Sequence, residues 1–394
     1  MPLVSRWAKV EDFNPNSSKQ VLEYLKFRGY KLYNNRKTGK PTADEDAIEK
    51  TLRTLSIKEE TDELLDKILE ARKLQKAIGY LLDTALGKDG KFHPIYTFRP
   101  ETGRLSAVRP NIQNQPNHGV EERVARAIRS CIIPSQKDFV LLESDYKAME
   151  AVLTGYFAQD QDYINISLKD SHSYFCAFIL KNRGIISEIP PANDPDIMDF
   201  LNDIKKRFPE ERFMAKTANL AMGYDIGWRH LSEVVRCSAA QAKDYLRIRD
   251  EMFPKIAKWK EHTFLEAHTK GYLETPFGYR TYYWNVLQPV KGRPGKFIKG
   301  MEAREALAFR PQSSGAAMLR EVMISADPFD GGLFYFLAPI HDAILVECHK
   351  DKMEETGNTL KHIMERTWPE LGGLRIEAEV KVGTVWSDMH TLNL

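Results

Sequence analysis

Phe139-Val140-Leu141-Leu142 is an apolar run that leads into Ser144-Asp145-Tyr146. Consecutive apolar residues with polar residues on both sides predict a buried β-strand. Asp145 then lies where this strand turns or ends. An aspartate in such a place is more often an ordinary turn residue than a functional one. Whether Asp145 is functional therefore depends on which other residues the fold places near it.

A second aspartate occupies a similar place near the C-terminus. Asp342 follows His341 between the apolar segments 333–337 and 344–346, and this pattern predicts a β-hairpin with both residues at its bend. Half of the chain separates the two aspartates. Two carboxylates that a fold brings together repel each other, and both stay ionised only where cations lie between them. The pair therefore predicts a metal site at Asp145 and Asp342.

The composition is that of a globular protein. Of 394 residues, 42% are hydrophobic and 28% are charged, and the formal net charge is +2. At about 150 residues per domain, this length predicts two or three domains. The apolar stretches are shorter than the ~18 residues of a transmembrane span, and residues 1–7 lack the apolar core of a signal peptide. We therefore expect a cytoplasmic protein, in the host cytoplasm if the chain is viral, whose binding to any polyanion depends on local clusters of charge.

The N-terminal quarter of the chain predicts helices. Apolar residues recur at helical spacing over 13–31, in a segment that begins with capping-box spacing at Thr42, and over 59–86. The last of these has a basic face, which is equally typical of a solvated surface and of a contact with a nucleic-acid backbone. The loop-rich segment that follows contains Asn111, Gln113 and Asn114. Their amides suit contacts with a nucleic-acid backbone or base edge.

One predicted helix combines cations with an apolar and an aromatic side chain. Arg212, Lys216, Leu220 and Tyr224 recur every four residues, so each is turned about 40° from the last and all lie along one stripe. The cations suit phosphates, and the apolar and aromatic surfaces suit a sugar and a base. Such a helix alone is commonly a surface helix. Together with two metal-binding aspartates, it favours a site for a nucleoside triphosphate.

These motifs together resemble those of family A DNA polymerases, the group of bacterial DNA polymerase I and its phage relatives. The resemblance runs from about Phe13 to Trp386 and rests on segments that occur in the family's order: Thr102-Gly103-Arg104, Ser144-Asp145-Tyr146 with Glu150, Arg212 to Tyr224 with Asn219, Gln312, and His341-Asp342. It implies an α+β right-hand polymerase fold. A partial helical thumb would occupy residues 1–90, a palm with an antiparallel sheet 91–165 and 299–394, and helical fingers 166–298.

The resemblance also implies a reaction, the addition of dNMP to a primer 3′-hydroxyl with release of pyrophosphate. Asp145 and Asp342 would hold two Mg²⁺ ions, for which Mn²⁺ is an alternative. Arg212 and Lys216 would neutralise the triphosphate, and Lys216 would also act on the leaving pyrophosphate. Leu220 would belong to the same dNTP site.

Further residues receive roles from the same resemblance. Tyr224 would close its helix against the template base pair, and His341 would support the primer end. Glu150 matches the residue that excludes a ribose 2′-hydroxyl, which implies dNTP substrates. His172 matches a residue near the triphosphate, although Asp170-Ser171-His172-Ser173 is equally compatible with a helix cap.

The implied contacts with primer-template DNA involve three more side chains. Arg104 and Gln312 match positions that contact the minor groove at the primer terminus, where every correct base pair offers an acceptor. Arg304 is assigned to the same DNA.

The chain departs from the family's pattern at four positions. Ala343 stands where the usual His-Asp-Glu triplet has Glu, which predicts altered metal occupancy or primer-end geometry. Lys147-Ala148 replaces the common Ser-Gln after the first aspartate. Leu220 replaces an aromatic residue, and because it has no hydroxyl to substitute for a missing 3′-hydroxyl, we expect discrimination against dideoxynucleotides.

Two alternatives remain at the level of sequence. A single-subunit RNA polymerase shares the aspartates and the Lys/Tyr helix, but Glu150 argues against it. An inactive polymerase-like DNA-binding or replisome scaffold is compatible with Ala343 and Lys147, but Asp145, Asp342, Arg212 and Lys216 together argue against it.

The expected partners are primer-template DNA and dNTPs. We expect no association with a membrane. Nothing in the chain resembles the family's proofreading or 5′-nuclease domains. We expect an incomplete thumb base, complemented by a missing N-terminal domain, a separate nuclease subunit or a processivity factor.

Overall fold

The computed structural model describes residues 13–35, 38–57, 59–82, 86–98, 100–113, 126–223, 225–293 and 295–394. Two compact units divide the chain. Unit 1 consists of Met1–Ile95, Ala107–Ile132 and Val385–Ser387, and unit 2 of Tyr96–Ser106, Ile133–Thr384 and Asp388–Leu394. Within the described ranges, no helix is both long enough and apolar enough to cross a membrane.

Within unit 1, the described residues between 13 and 82 form three helices and a short antiparallel pair of strands. In chain order these are α1 (Ser18–Phe27), β1 (Tyr33–Asn34), β2 (Pro41–Thr42), α2 (Glu45–Ile57) and α3 (Glu63–Leu82). Their apolar faces meet in one core, in which Val21, Leu25, Ile48, Leu65 and Ile68 are fully buried. Burial of such side chains, at roughly 1.5–3 kcal/mol each, stabilises the packing of these helices.

A side chain caps each of these three helices, and α2 and α3 begin later than the apolar spacing predicts. Ser17 accepts a hydrogen bond from the Gln20 backbone N–H and caps α1. Asp44, instead of the predicted Thr42, accepts from the Ala47 N–H at the start of α2. Asp62 accepts from the backbone N–H groups of the first turn of α3. Side-chain acceptors of this kind satisfy helix N–H groups that have no intrahelical partner.

Short strands and a run of helices come next in the chain. These elements are β3 (Ile95–Thr97), β4 (Ser106–Val108), β5 (Phe139–Tyr146), α4 (Met149–Ala158), α5 (Gln161–Leu168), α6 (Ser171–Asn182), α7 (Ile197–Arg207), α8 (Pro209–Met222), α9 (Trp228–Val235), α10 (Ala239–Met252) and α11 (Pro254–Lys270). The predicted helical region between 175 and 270, with its polar interruption before residue 196, is thus confirmed.

The C-terminal part returns to strands. Its elements are β6 (Tyr272–Glu274), β7 (Arg280–Tyr282), β8 (Leu287–Pro289), β9 (Phe297–Lys299), α12 (Ala303–Ala326), β10 (Tyr335–Ile340), β11 (Ala343–His349), α13 (Met353–Met364), β12 (Ala378–Gly383) and β13 (His390–Thr391). The predicted hairpin is formed by β10 and β11, which pair antiparallel.

Unit 2 is organised around a five-stranded sheet with the strand order β10-β11-β5-β12-β13. All neighbouring strands pair antiparallel. The α+β class with an antiparallel sheet is therefore confirmed. The apolar run that leads to Asp145 is central in this sheet, and Leu141 and Leu142 are completely buried.

A close helix pair packs against the sheet. Met149 and Leu153 of α4 and Met318 and Val322 of α12 belong to the same core as Leu142. A Cβ at Gly315 of α12 would lie 2.6 Å from the Met149 Cε atom. A side chain at this position would displace the end of Met149, so Gly315 allows α12 to pack closely against the helix that follows Asp145.

Candidate active site

The two aspartates are brought together by strand register. β11 pairs with β5 so that Ala343 lies opposite Asp145, and Asp342 is the residue immediately before Ala343. The turn between β10 and β11 consists of His341 and Asp342. His341 adopts the left-handed backbone conformation, with φ of 54°, which allows such a tight turn.

Both carboxyl groups are energetically unfavourable as isolated anions. Burial, the nearby Glu143 and then Asp342 raise the pKa of Asp145 to about 6. Burial raises the pKa of Asp342, and Glu150 adds to the effect, while Arg104 and His341 oppose it. Clustered carboxylates that lack sufficient positive charge are expected to behave in this way. A cation bound between the two carboxylates would therefore be stabilising.

The donor set fits a hard divalent cation. Mg²⁺ is commonly held by one or two carboxylates together with waters and substrate phosphates, and Asp145 and Asp342 supply such a pair. Within the described residues, no group of three or more His, Cys, Asp or Glu side chains is arranged to hold a metal ion. Ala343 is 5% exposed and contributes no ligand. On the other side of Asp145, β12 places Glu379 directly opposite.

A second polar network joins Asp342 to the start of α4. Arg104 Nη2 lies 3.1 Å from Glu150 Oε2 and 3.8 Å from Asp342 Oδ1. Gln312 of α12 donates to Glu150 Oε1 at 3.2 Å. Three of the sequence-predicted residues, Arg104, Glu150 and Gln312, are therefore in direct contact, and Arg104 links them to one of the two aspartates.

The turn that carries Arg104 is locked by its neighbours. Gly103 has φ of 69°, and a Cβ there would meet the Tyr279 ring at 3.0 Å. Arg320 of α12 donates to the Gly103 carbonyl at 2.7 Å. The positive φ and the close approach both require glycine, and they explain why the Thr102-Gly103-Arg104 motif needs its middle residue.

Three members of the predicted stripe, Arg212, Lys216 and Leu220, lie on α8, and the first of them is already paired. Arg212 Nη2 donates to Asp170 Oδ2 at 2.8 Å, and its Nε donates to Ser173 Oγ at 2.7 Å. Asp170 is also the N-cap of α6, so the helix-cap interpretation of that segment is confirmed. Lys216 is exposed, and Leu220 is 58% exposed. Lys216 therefore offers an ammonium group that forms no ion pair with a described residue.

His172 is oriented through Asn219 by an arginine of α10. Arg249 Nη1 donates to the Asn219 backbone carbonyl at 3.0 Å and to its Oδ1 at 2.8 Å. The amide nitrogen of Asn219 therefore faces His172 Nδ1, at 3.1 Å. Burial, together with the charges of Arg212, Lys216 and Arg249, lowers the pKa of His172 against the opposing effect of Asp170. The neutral ring accepts at Nδ1 and keeps its proton on Nε2, where it can donate to an anion.

A cavity of about 380 Å³ in unit 2 is lined by some of these groups. Glu150 of α4, His172 of α6, and Asn219 and Leu220 of α8 line it, and further parts of the wall come from α5, α10, α11 and α12. The wall includes the apolar Ile256, Trp259, Leu307 and Pro311 and the cations Arg249 and Lys260. The cavity thus combines an apolar surface with positive charge, as a nucleotide requires.

Among the described residues of unit 2, Glu150, His172 and Leu220 are the predicted site residues that line this cavity. Arg304 is an exposed residue in the first turn of α12. Asn111 and Gln113 belong to unit 1, where Gln113 Oε1 accepts from the Ala107 N–H at 3.2 Å. Tyr224 and Asn114 lie outside the described residues.

Sequence reasoning missed the groups that hold the cationic side of the cavity. Asp170 was considered only as a helix cap, although it is also the ionic partner of Arg212. Arg249 and Lys260 carried no signal, because single cations on amphipathic helices look like solvated surface residues. Lys147, which stands where the family commonly has serine, forms an ion pair that the sequence does not indicate, with its Nζ 3.0 Å from Glu377 Oε2.

Comparison with known proteins gives consistent matches. The sequence pattern of the family described as "DNA polymerase family A" matches residues 4–388. DNA polymerase I of Streptococcus pneumoniae serotype 4 is 31% identical over 367 residues, which cover 90% of this chain and 38% of that protein. The thermostable DNA polymerase I of Thermus filiformis is 28% identical over 333 residues, covering 82% of this chain and 36% of that protein. The chain thus spans little more than a third of the length of these relatives.

A solved structure shares the fold. The polymerase domain of Pol1 from M. smegmatis, in complex with DNA primer-template and dNTP, superimposes with a TM-score of 0.73 at 22% identity. The match covers 95% of this chain and 62% of that one.

Proposed function

Because the chain belongs to DNA polymerase family A, we propose that it catalyses template-directed DNA synthesis, adding dNMP to a primer 3′-hydroxyl and releasing pyrophosphate. The observation that carries the proposal is the β5–β11 register, which brings Asp145 next to Asp342. Both aspartates belong to the same compact unit as the cationic stripe of α8. The relatives named DNA polymerase I, and the similar domain bound to primer-template and dNTP, support the same activity.

We assign parts of the chain to the thumb, palm and fingers of such an enzyme. Residues 1–90 would form a partial thumb, 91–165 and 299–394 the palm, and 166–298 the fingers. The five-stranded sheet falls within the proposed palm, and α6 to α11 fall within the proposed fingers. The proposed partners are primer-template DNA and dNTPs.

Asp145 and Asp342 are the proposed ligands of two Mg²⁺ ions, with Mn²⁺ as an alternative. When bound, the ions would activate the primer 3′-hydroxyl and neutralise charge on the triphosphate. The contribution of the chain is to hold both carboxylates beside each other at the end of a rigid sheet. Their raised pKa values indicate that a cation would be stabilising there.

The nucleotide would lie along α8. Lys216 and Arg212 would bind the triphosphate, with Lys216 acting on the leaving pyrophosphate. His172 would donate from Nε2 to a phosphate oxygen. Arg212 would exchange some of its hydrogen bonds to Asp170 for phosphate oxygens, while Leu220 and Tyr224 would face the sugar and the base pair.

Glu150 is the proposed reason for a preference for dNTPs. Its carboxylate is held on both sides by Arg104 and Gln312, so it would resist displacement by a ribose 2′-hydroxyl. Arg104 and Gln312, together with Arg304 and His341, would contact the primer-template. Asn111, Gln113 and Asn114 are proposed as further DNA contacts.

The activity is tested by extension of a labelled primer-template with each dNTP and each rNTP. We expect Mg²⁺-dependent extension with dNTPs and little extension with rNTPs. Extension with rNTPs at a comparable rate would indicate an RNA polymerase. Failure to extend any primer, while still binding primer-template, would support a scaffold without activity.

A further inference from the structure

We propose that Arg249 and Lys260 form a second phosphate-binding site in the cavity, separate from the cations of the α8 stripe. The inference deepens the proposed function, on which the identity of the bound phosphate depends. The two residues come from neighbouring helices, α10 and α11, and both line the cavity beside Asn219 and Trp259.

Arg249 is a buried cation that the described structure does not neutralise. Its side chain belongs to a residue that is 7% exposed, and it forms no ion pair with any described residue. Two hydrogen bonds use Nη1 alone, both to Asn219, and Nε is buried with no partner. An isolated buried guanidinium is costly, and a bound anion would remove that cost.

Lys260 adds a second positive charge without a partner. It forms no hydrogen bond or ion pair with a described residue. Burial, followed by repulsion from Arg249, lowers the pKa of Lys260 to about 8. Asp225 and Asp250 oppose the shift, and Lys299 adds to it, but Asp225 is already paired with Lys299. The two cations therefore lie close enough to destabilise each other in the absence of an anion.

The charge balance of the cavity wall supports the same conclusion. Among the described residues that line it, Glu150 is the one carboxylate, and Glu150 is paired with Arg104. Arg249 and Lys260 are therefore left in excess. The anion that fits has several acceptor oxygens and is attached to a sugar and base that can contact Trp259 and Leu307, so it is a nucleotide phosphate.

Two sources supply this chemistry under the proposed function. One is the triphosphate of the incoming nucleotide. The other is the phosphodiester on the 5′ side of the templating nucleotide. Two primer-templates distinguish these sources. In the first, the templating nucleotide is the unphosphorylated 5′ end of the template, so this phosphodiester is missing. The second has a longer 5′ overhang and contains it.

The variant that tests the site is Lys260→Met, which removes the charge at similar length. Lys260→Arg keeps the charge, and Lys258→Met removes an exposed lysine of the same helix as a matched control. Arg249→Gln is a second variant, accompanied by thermal unfolding to verify folding. Loss of a charge-assisted phosphate contact is worth about tenfold in affinity.

We expect Lys260→Met to lower the affinity for the phosphate ligand about tenfold. Lys260→Arg should keep the wild-type affinity, and so should Lys258→Met. A higher KM for dNTP on both primer-templates identifies the triphosphate. Weaker binding confined to the overhang substrate, measured by fluorescence anisotropy, identifies the template phosphodiester. The inference is overturned if Lys260→Met and Lys258→Met have the same KM for dNTP and the same binding affinity on both primer-templates.

Inorganic pyrophosphate separates this inference from the proposed function. If the wild type extends no primer, the proposed function fails, but the thermal shift with pyrophosphate still tests the site. Stabilisation of the wild type and Lys260→Arg, and not of Lys260→Met, would support a second phosphate site. Equal stabilisation of all three would overturn it.

Discussion

The carboxylate side and the cationic side of the candidate site are held by different means. Asp145 and Asp342 are fixed by the backbone, since β5 and β11 share seven Cα pairs around them. Arg212, His172 and Asn219 are fixed by side-chain contacts between α6, α8 and α10. A substrate cannot replace strand pairing, but its phosphates can replace a carboxylate or hydroxyl partner. The carboxylate side is therefore preformed, whereas the cationic side can rearrange around a ligand.

The largest effect is expected on the carboxylate side. Asp342→Ala should lower primer extension at least about 1,000-fold, because several kcal/mol of metal-derived transition-state stabilisation are lost. The measurement is single-turnover extension at saturating Mg²⁺ and dNTP. Asp351→Ala, on an exposed residue beyond the other end of β11, is the control. Extension by Asp342→Ala within tenfold of the wild type would refute the assignment.

On the cationic side, two neighbouring substitutions should behave differently. Lys216→Ala should reduce kcat about 100-fold and leave stability within about 0.5 kcal/mol, since Lys216 is exposed. Arg212→Ala should also destabilise the fold by about 1–3 kcal/mol, because the half-buried Asp170 loses its partner. Extension assays and chemical denaturation measure the two effects. Equal stability of both variants would show that the Arg212–Asp170 pair does not hold the helices together.

In the absence of metal, the ionised carboxylate of Asp145 should lower the free energy of unfolding. The folded-state pKa of Asp145 is about 6, above the 3.8 of an unperturbed aspartate. Between these two pH values the folded chain holds a proton that the unfolded chain has released, so the contribution of Asp145 to the unfolding free energy falls as pH rises through this range. Above pH 6 the penalty is complete, at about 2–3 kcal/mol.

Asp145→Asn should therefore raise the Tm in EDTA at pH 7.5. The difference from the wild type should shrink towards pH 4, because the folded chain keeps its proton there and the unfolded chain is only about half ionised. Mg²⁺ should raise the Tm of the wild type more than that of the variant. A Tm in EDTA that is the same for both proteins at both pH values would contradict the raised pKa.

Glu150 lies between the two sides, and its removal should change selectivity more than rate. Glu150→Ala should increase the use of rNTPs relative to dNTPs about 10- to 100-fold, because the steric barrier to a 2′-hydroxyl is removed. Glu150→Gln keeps the volume and should stay selective. The ratio of kcat/KM values for matched dNTP and rNTP measures the effect. Unchanged selectivity in Glu150→Ala would exclude Glu150 as the discriminating residue.

The smallest effect is expected at Leu220. We expect the wild type to discriminate against dideoxynucleotides, and Leu220→Tyr to reduce this discrimination about tenfold, which corresponds to one added hydrogen bond. Competition between a dNTP and the matching ddNTP measures it, with Leu220→Phe as the hydroxyl-free control. Efficient dideoxy incorporation by the wild type would disprove the reasoning.

The sequence predicted features that depend on local pattern. The strand ending at Asp145, the hairpin bend at Asp342 and the stripe on α8 follow from spacing over a few residues. The family resemblance supplied roles for these positions. The capping aspartates Asp44 and Asp62 shifted the helix starts in unit 1, because a side-chain acceptor decides where a helix begins.

Contacts between distant segments were not predictable in this way. The opposition of Glu379 and Asp145 depends on the register of β12, and the pairing of Arg212 with Asp170 depends on how α8 packs against α6. The burial of Arg249 likewise follows from packing between helices. No single-sequence pattern encodes these distances, and they decide which cations in the cavity are already paired.

The central position of β5 has a consequence for how the protein is made. Its two neighbours, β11 and β12, are synthesised only after the whole helical region and α12. During synthesis, β5 must therefore remain without its sheet partners while α4 to α12 emerge, and pairing across half of the chain is slow. A nascent chain that stops before residue 343 would already contain most of the helices but would expose an unpaired apolar strand, which is prone to aggregate.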